Sequence, residues 1–457
     1  MSISEAIAQI AAALGARLVT TDAIRQQHGE NESYYPVTPP DAVAFPETTE
    51  EVSLIARICN ELGCPLVAWG TGTSLEAQAL ATQGGISLDM SRMNKVLEVR
   101  PDDLDVTVQP GITREELNAE LRATGLFFSV DPGANASLGG MAATRASGTT
   151  AVRYGTMREA VLALEVVLAD GRIIRTGSRA RKSSAGYDLT HLIIGSEGTL
   201  GIITEMTVRL QGQPEAISAA TCRFADVESA VAAVIQTIQM GIPMARIELV
   251  DAMSIRAINL KTGSERPETP HLFLEFHGSE GGVAEQTEAA KEIMEDNGAD
   301  GFEWSTLPEE RAALWEARHK MYWAALGLQP GARGLTTDVC VPISALAEAI
   351  RETAADINAS PLMGPIVGHV GDGNFHACLL VDPDKPEDLK EAKRLAHLMN
   401  ERALRLGGTV TGEHGVGIGK KVYMPDEHGD GWAVMAAIKR ALDPNNILNP
   451  GKTVEIN

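Results

Sequence analysis

Apolar positions in the first half of the chain switch repeatedly between helical and strand spacing. The N-terminal "MSISEAIAQIAAALGARLVTTD" has the spacing of an amphipathic helix. In "PETTEEVSLIARICNELGCPLVAW" a second helical run is capped by Thr48 or Thr49, carries Glu50 and Glu51 in its first turn and ends at Gly63. "PLVAW" is a short buried strand that breaks into a Gly/Thr loop over 70–74. "GISLDM" is a further strand, and "KVLEVR" and "LDVTVQP" pair around Pro101-Asp102-Asp103. "GITREELNAELRATG" is a helix with a capping box from Thr113 to Glu116, closed by Gly125. "LALEVVLADGRIIRTG" is a hairpin through Asp170-Gly171, and "GSEGTLGIITEMTVRL" runs from a glycine cluster into a strand. Between them, "VDPGANASLGGMAATRASG" has almost no bulky side chain and no sustained period. It predicts backbone packed closely against something flat or charged.

Past 211–214 the glycine clusters stop and the pattern changes. "AATCRFADVESAVAAVIQTIQMGI" is strand, turn and helix; "HLFLEFHG" is a strand, and "GGVAEQTEAAKEIMEDNG" is a polar-faced helix. "VCVPISALAEAIRETAADI" repeats strand then helix. These runs predict an α+β layer with helices on one face of an antiparallel sheet. The expected division is 1–213 for a first domain, 214–420 for a second, and 421–457 for a loop-like tail, "LDPNNILNPGK", that returns to the first.

Composition narrows the function. The 457 residues suffice for two or three domains. A net charge of −22 disfavours nucleic acid and anionic membrane as partners. No apolar run approaches the roughly 18 residues that span a bilayer, and the N-terminus lacks the basic start of a signal peptide. Five cysteines in so long a chain are no disulfide framework. Buried free thiols in a reducing cytoplasm are the expectation.

Two patterns carry chemistry. "GTGTS" follows a strand, but no convincing helix starts from it, so the strand, G-x-G-x-x-G, helix and acid of a Rossmann unit do not stand together here. A nest of backbone N–H groups helped by Thr71, Thr73 and Ser74 still suits a pyrophosphate, and a plain tight turn is the alternative. In "GHVGDGNFHACLL", a type I′ turn at Asp372-Gly373 sets Gly371 against Asn374, Val370 against Phe375 and His369 against His376. Directly opposed residues have Cβ atoms about 4.5–5.5 Å apart, which suits two imidazoles on one metal ion. "TVTGEHGVG" offers Glu413 as the third ligand; two His and one carboxylate form an open, catalytic set. His414, adjoining Glu413, is then a base with a pKa near neutrality. Two hydrogen-bonded core histidines are the alternative for the hairpin.

"VAWGTGTSLEAQ", "DPGANASLGGMAATRASGTTAVRYGT" and "GSEGTLGIITE" together resemble the FAD-binding domain of the vanillyl-alcohol oxidase family. Over essentially the whole chain the resemblance is to that family's FAD-dependent D-2-hydroxyacid dehydrogenases, its cytochrome-linked D-lactate branch above all. It implies a two-part FAD-binding domain followed by an α+β substrate domain with an antiparallel sheet. It implies that Gly70, Thr71, Gly72, Thr73, Ser74 and Leu75 hold the pyrophosphate. Pro132, Gly133, Ser137, Leu138, Gly140, Ser147 and Gly148 would line the cofactor, with Arg153 and Tyr154 following in the same pattern. Glu197, Gly198 and Ile203 would flank its adenosine and ribityl portions, and Asn449 would lie near the flavin. Neither "GTGTSL" nor "DPGANASLGG" carries a His or Cys for a covalent link, so the FAD is expected to be dissociable.

The resemblance also places a divalent metal, Zn or Mn, on His369, His376 and Glu413, makes Arg318 the clamp for the substrate carboxylate, and sets Tyr322, one turn on, in the pocket. The implied reaction is metal-assisted oxidation of a D-2-hydroxyacid to the 2-oxoacid, with hydride passing to flavin N5 and the hydroxyl proton to His414. D-Lactate, giving pyruvate, is the preferred substrate, because Thr336 and Cys378 offer little charge for a second carboxylate. D-2-Hydroxyglutarate and glycolate are the alternatives. The expected partners are this small molecule and an electron acceptor: cytochrome c, a quinone or an electron-transfer flavoprotein. The expected location is cytoplasmic or at the periphery of the inner membrane, and a homodimer is open. Rival classes are a metal-dependent hydrolase without flavin and a non-catalytic flavin-binding protein.

Overall fold

A computed structural model describes residues 3–456, apart from the side chains of Ala317 and His319. The chain forms two compact units. The first runs through Ser147, resumes over Gly155–Gln213 and takes the chain from Glu413 onward; the second holds Gly148–Tyr154 and Pro214–Gly412.

Among its described residues the first unit has two larger sheets and a two-stranded ribbon that pairs Leu126–Phe127 with Gln211–Gly212. One orders Leu18–Val19, Ala42–Ala44, Ile86–Asp89 and Leu66–Trp69, the last three parallel. Parallel strands need a crossover, and the helix Thr49–Leu62 carries the chain from Ala42–Ala44 past Ile86–Asp89 to Leu66–Trp69, capped by Thr48 and ended by Gly63 in the left-handed region. Its core includes Ile55, Leu66 and Leu88, with Ile447 and Leu448 from the tail. The tail lies along Leu66: Leu66 N–H donates to Ile447 O (2.8 Å) and Asn449 N–H donates to Leu66 O (2.9 Å). The other sheet is antiparallel, in the order Val96–Arg100, Asp105–Val108, Ile202–Arg209, Val161–Val167, Ile173–Arg175. The Thr113–Glu116 capping box is formed.

The segment without sequence period contains a helix, Leu138–Thr144. Its seven residues, LGGMAAT, are mostly small, so there is no apolar stripe to read. The element forms because Leu138, Met141 and Ala142 bury into the core of the antiparallel sheet.

The second unit is one antiparallel sheet. Its spatial order is Asp300–Ser305, Ala216–Arg223, His271–Gly278, Met244–Val250, Ile366–His369, Asn374–Val381 and Arg333–Thr336, with Val339–Cys340 also paired to Asn374–Val381. Helices cover both faces, not one. Even-numbered Leu380 packs with Trp315, Met321, Ala324 and Ile258, whereas odd-numbered Ala377 and Leu379 line a small cavity with Ile357, Leu395 and Met399. The run NFHACLLV is buried at nearly every position, and a strand buried on both sides needs two covers.

Candidate functional site

The histidine hairpin is formed, with a register different from the expected one. Strands Ile366–His369 and Asn374–Val381 are joined by four residues, not two. His369 faces Asn374, Gly368 faces Phe375, and Val367 faces His376. Gly373 is in the left-handed region (φ 87°) and Asp372 is not, so the connection is not a type I′ turn. The slip moves each partner by two residues, and a slip of two leaves every side chain on its original face. His369 and His376 are therefore diagonal neighbours on one face. Their rings meet edge to face with centroids 5.4 Å apart.

Each ring is oriented through Nδ1. His369 Nδ1–H donates to Oε1 of Glu248 (2.7 Å), and His376 Nδ1–H donates to the carbonyl of Thr337 (3.0 Å). Carboxylates and carbonyls only accept, so each Nδ1 carries a proton, which in a neutral ring leaves the lone pair on Nε2. That is the tautomer a metal ligand needs, held as such ligands usually are.

Glu413 follows Gly412, the last residue of the second unit, and its approach is set inside that unit. Thr409 exchanges backbone hydrogen bonds with Cys340 (2.8 and 3.1 Å). Thr411 Oγ1 donates to Asp338 Oδ2 (2.8 Å), and Asn374 Nδ2 donates to Asp338 Oδ1 (2.7 Å). One ligand atom from each of His369, His376 and Glu413 lies within 4.8 Å of the others. Two imidazole nitrogens and one carboxylate at that spacing fit a divalent cation. His414 belongs to the first unit, where Gln78 Nε2 donates to its carbonyl (2.7 Å).

Arg318 is buried. Its Nε and Nη2 both donate to Oε2 of Glu248, at 3.0 and 2.6 Å. The residue expected to meet substrate is thus first an ion-pair partner of a carboxylate that the sequence reading did not single out. Glu248 sits in the central strand Met244–Val250 and is fully buried. Its one sequence signal is an acid inside a buried, largely apolar strand, "MARIELV", where an unpaired charge would be costly. Tyr322 lies close to Gly334, as does the thiol of Cys378; Thr336 is the cross-strand partner of Cys378. Burial pushes that thiol up to about 12, so it is neutral at physiological pH.

In the first unit, Gly70 and Gly140 lie beside Ser137. Among the described residues the buried Ser137 hydroxyl has no hydrogen-bond partner, and a Cβ on Gly70 would press into it. Thr71 and Thr73 share a hydroxyl hydrogen bond (3.2 Å), and the loop over 70–75 keeps partial exposure. A cradle only glycine leaves open, with an unpaired donor at its wall, fits a phosphate group. Leu138 is buried against the core, Pro132 is half-buried, and Gly133 is exposed.

Other residues assigned to the cofactor have protein partners. The Glu197 carboxylate accepts from Val416 N (2.6 Å), Gly417 N (2.8 Å) and Thr453 Oγ1 (2.9 Å). Burial pushes its pKa up against those hydrogen bonds. Asn449 Nδ2 donates to Gln78 O (3.0 Å) and Glu197 O (2.7 Å), fastening the tail. Gly198 has φ 72°, and Ile203 is core. Ser147 ends the first stretch of this unit. Gly148, Arg153 and Tyr154 lie in the second unit, where Arg153 Nη1 donates to Pro243 O (2.7 Å) and Tyr154 Oη bonds His277 Nδ1 (2.7 Å).

The loops of the first unit and the α+β sheet of the second define a flavoprotein fold of the vanillyl-alcohol oxidase type. Residues 213–453 match the model for the C-terminal domain of FAD linked oxidases, and residues 40–177 match an FAD binding domain. The chain belongs to the FAD-linked oxidases. It is 50% identical over 438 residues to the Danio rerio protein named "Probable D-lactate dehydrogenase, mitochondrial", covering 95% of this chain and 88% of that one. It is 47% identical over 453 residues to "D-lactate dehydrogenase [cytochrome], mitochondrial" of Arabidopsis thaliana, covering 98% and 80%. Its fold matches that of 4-ethylphenol oxidase from Gulosibacter chungangensis at a TM-score of 0.77 and 21% identity, over 99% of this chain and 97% of that one. Among the described residues, no helix is long and apolar enough to cross a membrane.

Proposed function

We propose that this protein is an FAD-dependent dehydrogenase of D-2-hydroxyacids, with D-lactate as substrate and pyruvate as product. The observation that carries the metal-assisted form of this reading is the histidine pair, with both Nδ1 protons committed and Glu413 in reach. The names of the relatives support the substrate and a cytochrome as electron acceptor. A neutral Cys378 beside Thr336 supports a substrate with one carboxylate over 2-hydroxyglutarate, and glycolate is the second candidate.

FAD, when bound, accepts a hydride, and a divalent ion, Zn or Mn, when bound, acts as a Lewis acid on the substrate hydroxyl. The chain would hold FAD non-covalently with 70–75, Pro132, Gly133, Ser137, Leu138 and Gly140 in the first unit. Ser147, Gly148, Arg153, Tyr154, Glu197, Gly198, Ile203 and Asn449 complete that assignment, the last residues acting through the backbone they hold in place. His369, His376 and Glu413 would hold the ion. The substrate loses its Cα–H as hydride and its O–H as a proton. His414 takes that proton, since imidazole titrates near neutrality. Arg318 orients the carboxylate with the donors Glu248 leaves, those of Nη1 and the second N–H of Nη2, and Tyr322 shapes the pocket. The five unpaired cysteines fit a reducing cytoplasm, and the names of the relatives set the mitochondrion as the competing compartment.

The test is anaerobic bleaching of the flavin by a panel of D- and L-2-hydroxyacids, with and without chelator. Fast bleaching by D-lactate that chelator abolishes is the expected result. A colourless protein points to a hydrolase, and a yellow protein that no hydroxyacid bleaches points to a non-catalytic flavoprotein.

A further inference from the structure

Glu248 divides its two carboxylate oxygens between two functional side chains. Oε1 accepts from His369 Nδ1 at 2.7 Å, and Oε2 accepts from Arg318 Nε and Nη2 at 3.0 and 2.6 Å. The residue is fully buried at the centre of the eight-stranded sheet. Its strand is paired on both sides, with Phe273 opposite on one neighbour and the Leu249–Gly368 pair on the other, so its backbone cannot shift independently. Among the described residues it has no other side-chain partner. The nearby cation on the same strand face, Arg246, is occupied by Glu275 (3.3 Å) and lies over the Trp315 ring at 4.8 Å.

A carboxylate placed to neutralise Arg318 alone would turn both oxygens to the guanidinium fork, the geometry that pair prefers. This one gives the fork a single oxygen and turns the other to an imidazole. We infer that Glu248 is a positioning residue for the metal centre. It fixes the tautomer and plane of His369, makes Nε2 a stronger donor to a cation, and ties the rotamer of Arg318 to the same anchor. The inference rests on the reading of His369, His376 and Glu413 as a metal site, and adds to it a residue outside the ligand set. Removal of such a partner usually weakens metal binding by about 10–100-fold.

The test uses the FAD-loaded full chain, stripped of metal and titrated with Zn²⁺ or Mn²⁺ alone in competition with a chelating indicator. Glu248→Gln should bind the ion about 10–100-fold more weakly than the wild type. His369→Ala should weaken it further, and Glu248→Gln added to His369→Ala should cost nothing more, since Glu248 acts through that ring. Thermal unfolding of the metal-free proteins reads the fold separately. If Glu248→Gln does not fold, Glu248→Asp is read in its place. Its carboxylate is one methylene short of holding both partners, so its affinity should also fall. Wild-type protein that binds no divalent ion defeats the metal reading, and this inference with it. Stoichiometric ion in the wild type with unchanged affinity in the Glu248 variant, or an equal loss with and without His369, defeats this inference alone.

Discussion

His369 and His376 meet edge to face, 5.4 Å between ring centroids, although neither is the other's cross-strand partner. Their neighbourhood depends on parity: 369 pairs with 374, and 376 is one pleat further along the same face. Either imidazole alone is a poorer site, so His376→Ala should weaken binding of the divalent ion well beyond the effect of Glu248→Gln. The cradle proposed for FAD, around Gly70 and Ser137, is built within the first unit, so the variant should retain its flavin. Metal analysis beside the flavin absorbance checks both. Loss of flavin together with metal would show that the histidine pair supports the fold rather than an ion.

His414 is assigned the substrate proton. His414→Ala should lower the rate of flavin reduction at saturating D-lactate by about 10²–10⁴, the usual range for a lost general base. The measurement is single-turnover stopped flow, which isolates the chemical step from reoxidation. Near-wild-type reduction would remove His414 from the mechanism and leave the proton to another group.

The elements that sequence made legible were those with a local cause. The cap at Thr48, the stop at Gly63 and the Thr113–Glu116 box are set by neighbours in the chain, and all formed as expected. The helix Leu138–Thr144 was hidden because Leu-Gly-Gly-Met-Ala-Ala-Thr has too few large side chains to mark a face; tertiary burial of Leu138 and Met141 decides it. In the hairpin the face was legible but the register was not, because a glycine-rich turn accommodates either two or four residues. Glu248 was overlooked for a different reason. Its partners lie 70 and 121 residues away, and no local pattern points to them.

Arg318 has a structural duty as well as the proposed one. Arg318→Ala leaves Glu248 buried with only His369 for a partner, and breaking such pairs costs about 3–5 kcal/mol. The retained histidine bond puts the expected loss at the lower end, read as a fall in the unfolding midpoint of the metal-free protein. Arg318→Lys keeps the charge but not the planar fork. It should unfold near the wild-type midpoint while KM for D-lactate rises. An unchanged KM in Arg318→Lys would confine Arg318 to its ion pair and leave the substrate carboxylate to another donor.

The cradle in the first unit makes the last prediction. A Cβ at Gly70 would press into Ser137 Oγ, the buried hydroxyl without a partner among the described residues. Gly70→Ala should therefore displace Ser137 and narrow the space proposed for the pyrophosphate. The expected effect is a rise of tenfold or more in the dissociation constant of FAD, equivalent to about 1.4 kcal/mol or more. Ser137→Ala alone removes one donor and should weaken FAD less. The double variant discriminates crowding from lost hydrogen bonding, because with the hydroxyl gone the nearest atom of residue 137 is its Cβ at 3.6 Å, an ordinary contact. Affinity in the double variant should return to that of Ser137→Ala. Titration of the apoprotein with FAD, followed by flavin fluorescence, measures all three. Wild-type affinity in Gly70→Ala would show that this loop turns a corner and holds no phosphate.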